Sequence, residues 1–114
     1  MNNMEKELLK QITDTDGEFS GAYNIRKNGE GIERKVTENI NIISKKDVSG
    51  IDIFVKENAK FEIVHIPVIV TESGLKDVVY NDFYIGKNAT AYIVAGCGIH
   101  NDDCSDSEHN GVHR

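Results

Sequence analysis

Cys97-x2-His100-x3-Cys104-x4-His109-x3-His113 is the densest run of metal-ligating side chains in the chain, holding both cysteines and three of the four histidines. Thiolate and imidazole suit zinc, and thiolate suits iron in clusters. Five candidates exceed the four ligands of a tetrahedral site. Gly96, Gly98 and Gly111 let the backbone wrap closely round an ion, and Asp102, Asp103, Asp106 and Glu108 supply carboxylates that could orient imidazole N–H groups. Cys97, His100, His109 and His113 are the preferred metal ligands; Cys104, set among acidic and small residues, is the least favoured. Against a metal, the spacing matches no zinc-finger pattern, and two cysteines fall short of the four that hold an ordinary iron–sulfur cluster. The alternative is a polar loop between coils, "GCGIHNDDCSDSEHNGVH", with Cys97 as a small buried residue closing the strand "AYIVA".

Thiol catalysis is the third chemistry to weigh. "VAGCGIH" places a cysteine after an apolar run and near a histidine that could lower its pKa. No helix-forming segment follows, however, and no oxyanion-hole element or orienting partner can be named. Phosphate-loop and dinucleotide signatures are also absent, because "NGEGIE" and "AGCGIH" lack the required glycine spacing between a strand and a helix. No catalytic residue is assigned. His65, alone in an apolar run, reads as a packed strand residue.

The 114 residues suit one domain with a modest core, and a net charge of −6 without a dominant Lys/Arg cluster argues against nucleic-acid binding. No stretch approaches the ~20 apolar residues of a membrane span, and the N-terminus lacks the apolar core of a signal peptide. A cytoplasmic protein with reduced cysteines is therefore expected, so a Cys97–Cys104 disulfide is not favoured and the sequon Asn88-Ala89-Thr90 is not expected to carry sugar.

The elements that must position these side chains are mostly strands. Met4, Leu8, Leu9 and Ile12 lie on one helical face, which predicts a short amphipathic helix over 3–13 and an N-terminal unit of helix and turn over 1–18. Beyond it, "IDIFV", "IVHIPVIV", "VVYNDFYI" and "AYIVA" are rich in β-branched and aromatic residues. Residues 52–64 match residues 82–94 at an offset of 30, with Asp52/Asp82, Asn58/Asn88, Ala59/Ala89, Ile63/Ile93 and Val64/Val94 identical. A fainter copy surrounds Ile25-x-x-Asn28-Gly29. Asparagine tolerates the left-handed backbone conformation, so the pattern reads as tight corners repeated between strands of a solenoid. Two unrelated hairpin turns are the alternative.

The segments "GAYNIRKNGEGIERKVTENINI", "GIDIFVKENAKFEIVHIPVIVTESGLKDVVYNDFYIGKNATAYIVAGCGIHN" and "SEHNGVH" resemble compact clostridial and archaeal members of the SufB/SufD family, over about residues 20–113. These are scaffold proteins of the SUF system of iron–sulfur cluster assembly. The resemblance implies a mainly β fold, a right-handed parallel β-helix, with residues 19–114 forming part of that domain behind the N-terminal helix. It also implies a binding and assembly protein rather than an enzyme, with an iron–sulfur cluster as the metal and a SufC-like ATPase and a SufB/SufD-type protein as partners; zinc is the metal expected of the alternative reading. Family members are more than twice as long. The SufC-docking region and the cysteine and histidine credited with assembly lie in the portion with no counterpart here, so no residue of this chain inherits those roles. The chain is expected to be a truncated or partial member that covers its open end by forming a homodimer, or by an altered packing of the N-terminal helix. A stand-alone zinc-binding module, or a structural or dimerisation module without metal, is the alternative.

Overall fold

The computed structural model describes residues 21–72, 74–99 and 108–114. They form eight strands: β1 (Ala22–Lys27), β2 (Glu30–Lys35), β3 (Ile40–Ser44), β4 (Gly50–Val55), β5 (Glu62–Val70), β6 (Lys76–Ile85), β7 (Ala91–Ile99) and β8 (Glu108–His113). The strands make two four-stranded sheets, ordered β2-β1-β5-β7 and β3-β4-β6-β8. In each, the first pair is antiparallel and the two that follow are parallel.

Successive residues of a strand point to opposite faces, and one face of each sheet lines a shared apolar interior. Ala22, Val64 and Ile66 come from the first sheet, and Ile40, Ile42, Ile51, Ile53 and Val55 from the second; all are buried. Ala59 belongs to the same cluster, and Phe83, Ala89, Ala91 and Ile93 pack against it. The outer face of the first sheet is also partly covered, since Ile25 and Ile69 are fully buried there against Tyr23. β5 is accordingly buried along both faces from Val64 to Val70.

The repeat is visible in the register. Asp52 pairs with Asp82, Ile53 with Phe83 and Phe54 with Tyr84 across parallel β4 and β6. Asn58 and Asn88 both adopt positive φ, 67° and 60°, where the chain passes from the second sheet to the first. These corners stack through backbone hydrogen bonds, Asn58 N–H donating to Lys87 O at 2.9 Å and Thr90 N–H to Ala59 O at 2.8 Å.

The structure nevertheless corrects the expected fold. Both sheets are mixed, and the described residues contain no helix, so a right-handed parallel β-helix with an N-terminal helix is not what they form. The reason lies at Asn28-Gly29, the faint third copy. Both residues have positive φ, 48° and 84°, as a two-residue hairpin turn of type I′ requires. The chain reverses there and β2 folds back antiparallel on β1. A second reversal lays β3 antiparallel on β4. The helix expected over 3–13, and with it the unit 1–18, lies outside the described residues. No helix among the described residues is long and apolar enough to cross a membrane.

The outer face of the second sheet shows how in-register repetition is tolerated. Asp52 and Asp82 stand side by side, and like charges so placed repel. Lys45 Nζ bridges both carboxylates, and Arg114 also pairs with Asp82. The Lys45 pKa is raised by its hydrogen bonds to Asp52 and Asp82, and that of Asp82 is lowered by Lys45. This charge cluster is satisfied within itself.

Candidate functional site

Along β6 the inward face turns from apolar to polar. Asp77 and Asn81 are buried on either side of Val79, and Phe83 follows within the apolar cluster. β8 continues the same face, because Asp77 pairs with His109, Val79 with Gly111 and Asn81 with His113. In the opposite sheet, Cys97 of β7 pairs with Val68 of β5. Between the sheets at this end lies a cavity of about 200 Å³, lined by Cys97, His109, Gly111 and His113 together with Asn81 and Val68.

The His109 side chain is 9% exposed and its Nδ1 lies 2.9 Å from Asp77 Oδ2. Asp77 also accepts two hydrogen bonds from Arg26, Nε to Oδ2 at 2.8 Å and Nη2 to Oδ1 at 2.7 Å. Arg26 comes from β1, so this ion pair crosses the interior from sheet to sheet. The Arg26 hydrogen bonds are the main cause of a lowered Asp77 pKa, with His109 adding to it against the cost of burial. An ionised Asp77 only accepts. His109 Nδ1 therefore donates, and in the neutral ring the lone pair is left on Nε2.

Gly111 separates the two histidines on the strand, and its missing side chain matters. A Cβ placed there would lie 3.0 Å from His113 Nε2 and 3.6 Å from His109 Nε2, so both rings reach over the glycine and bring these nitrogens close to the space its side chain would fill. His113 Nδ1 is 3.5 Å from Asn81 Nδ2, at the outer limit of a hydrogen bond, and its ring is tilted against Phe83 with centroids 5.9 Å apart.

Cys97 lines the same cavity but is chemically quiet. Its pKa is raised, first by desolvation and then by the negative charge of Asp77. The thiol is protonated at neutral pH, whereas an activated cysteine needs the opposite shift.

Of the five expected ligands, Cys97, His109 and His113 thus share one cavity, while His100 and Cys104 lie outside the described residues. Among the described residues, no group of three or more His, Cys, Asp or Glu side chains is close enough to hold a metal ion together. They offer a supported pair of imidazole nitrogens, not a closed four-ligand centre.

Asp77 and Asn81 were not singled out by the sequence, and the run Arg26-Lys27 reads there as solvated surface, whereas the Arg26 side chain is only 15% exposed. The orienting carboxylate was sought among the acidic neighbours of the histidines, yet it comes from 32 positions upstream. A signal did exist. Asp77 and Asn81 are polar residues four apart within an apolar strand, matching the spacing of His109 and His113.

His65 is buried in β5, as expected of a packed strand residue, and desolvation lowers its pKa from 6.5. The folded state thus resists protonation that the unfolded chain accepts. The stability this contributes is fully present above about pH 6.5 and is lost as pH falls towards the folded pKa. Unfolding free energy should fall below about pH 6.5 by up to ~1.4 kcal/mol per pH unit, the limit for one proton. His65→Leu should reduce that slope in urea melts across the range; an unchanged slope would assign the titration to another group.

The class these features define is a two-sheet, mixed β protein whose interior ends in a cavity lined by two histidines and a cysteine. Comparison with known proteins found no matching family model, curated protein or solved structure.

Proposed function

We propose that this chain is a binding and assembly protein of SufB/SufD type, a cytoplasmic scaffold on which an iron–sulfur cluster is carried as cargo, rather than an enzyme. One observation carries the proposal. The segments that resemble the family, "VVYNDF", "VAGCGI" and "EHNGVH", lie on β6, β7 and β8, and together they wall the histidine-lined cavity. Family-like wording and candidate ligands thus converge on one place. A SufC-like ATPase and a SufB/SufD-type protein are the partners this function calls for.

The cavity suits transient rather than permanent holding of iron. Among the described residues Cys97 is the one cysteine in its lining, and its raised pKa means that iron must displace a proton to bind the sulfur. A resident cluster held by protein alone would need more thiolates.

Anaerobic reconstitution with ferrous iron and sulfide tests the function. The chain should develop visible sulfide-to-iron charge-transfer absorption, and Cys97→Ser should lose most of it. A colourless wild-type protein, or equal colour in the variant, would reject cluster binding at this cavity.

A further inference from the structure

We propose that His109 and His113 form a two-nitrogen site for a divalent transition-metal ion, with zinc as its reference occupant and Gly111 as the residue that keeps the site open. The inference does not depend on iron–sulfur assembly, because it uses neither sulfide nor Cys97.

Three features build the site. The first is spacing. His109, Gly111 and His113 alternate on one face of β8, a strand with parallel partner β6. Histidines four residues apart on a strand have backbones ~13 Å apart at the usual rise. Their Nε2 atoms can approach one another only by leaning over the position between them, and both lie within 3.6 Å of where a Gly111 Cβ would stand. Gly111 has no positive φ to explain a glycine. What it provides is space, since a Cβ would stand 3.0 Å from His113 Nε2.

The second feature is orientation. Asp77 accepts from His109 Nδ1 at 2.9 Å, which leaves Nε2 as the ring's lone-pair donor. Metal-bound histidines are characteristically held by a carboxylate in this way. Asp77 is fixed in turn by two hydrogen bonds from Arg26. It acts as a positioning residue. The 3.5 Å contact of His113 Nδ1 with Asn81 Nδ2 is too long to fix the opposite tautomer firmly.

The third is access. The histidines face a cavity of about 200 Å³, which has room for solvent or a small ligand to complete the coordination that two imidazoles leave open. Imidazole nitrogen suits zinc and its neighbours in the first transition row far better than calcium or magnesium, which prefer oxygen.

The test uses the full chain, stripped of metal by chelation, titrated with zinc by calorimetry and with cobalt(II) by absorption. The expected result is one ion per chain, weak visible cobalt bands and no thiolate-to-cobalt charge transfer. Gly111→Ala should weaken zinc binding by about tenfold or more, as displaced ligand support does elsewhere, while the metal-free melting temperature stays close to wild type. His109→Ala should abolish binding, and Cys97→Ser should leave it unchanged. Should Gly111→Ala disturb the fold, His113→Gln carries the same comparison. Wild-type affinity in both the Gly111→Ala and His113→Gln variants, loss of binding in Cys97→Ser, or no zinc bound by the wild type would overturn the site. Failure of iron–sulfur reconstitution alongside normal zinc binding would leave this site standing.

Discussion

Asp77→Ala is expected to destabilise the protein by about 3–5 kcal/mol, the range found when one partner of a buried ion pair is removed. Asp77 is 6% exposed and Arg26 15%. Removing the carboxylate leaves the Arg26 guanidinium in the interior with its two strongest acceptors gone, and His109 Nδ1 loses its partner as well. A typical domain has only about 5–15 kcal/mol in total, so the variant should be partly unfolded near physiological temperature. Urea denaturation of Asp77→Ala, Arg26→Met and the double variant would measure the coupling. The double variant should be more stable than Asp77→Ala, because an apolar replacement of both partners leaves no charge stranded. Independent, additive losses would show that the pair contributes little. The wild type should also lose stability in acid. The Asp77 pKa is lowered from 3.8, so its contribution is full above that value and fades as pH falls through the folded pKa.

The same residue shows what the sequence could and could not disclose. Strand composition, and the left-handed asparagines at 58 and 88, were legible because they depend on local backbone physics. Register was legible too, since Asp52 and Asp82 had already marked the offset that the parallel pairing uses. The architecture was not. Asn28-Gly29 offers the same local conformation as the corners, yet it reverses the chain, and a left-handed asparagine does not by itself say which way a strand will leave. The strand partner decides that, and it lies far away in sequence. The site divides along the same line. Cys97, His109 and His113 were identifiable from their chemistry, and they do line one cavity. Asp77 was hidden because its role comes from pairing between β6 and β8, not from proximity along the chain. Gly111 looked like backbone freedom and proves to be space for two rings.

Gly50→Ala should be at least as damaging, with an expected loss on the order of 3–5 kcal/mol, at the upper end of what point substitutions cause. Gly50 opens β4 at φ 138°, a conformation that side chains rarely adopt. A Cβ there would lie 1.8 Å from Tyr80 O, 2.6 Å from Tyr80 C and 2.8 Å from Tyr80 N, all backbone atoms of the neighbouring strand. Backbone cannot swing aside as a flexible side chain can, so β4 must separate from β6 at its first pair, Gly50 with Tyr80. That strains the hydrogen bond from Tyr80 N–H to Ser49 O and draws Ile51 from the core. Two other glycines separate steric exclusion from backbone strain. Gly74 also has positive φ, 71°, but nothing within 4 Å of its would-be Cβ, so Gly74→Ala should cost only the ~1–2 kcal/mol of a left-handed alanine. Gly31 has neither constraint, and Gly31→Ala should be nearly neutral. Chemical denaturation should therefore rank the three variants Gly50, Gly74, Gly31 in falling order of damage. Equal losses at Gly50 and Gly74 would mean that conformational strain alone, and not the close approach of β4 to β6, fixes glycine at position 50.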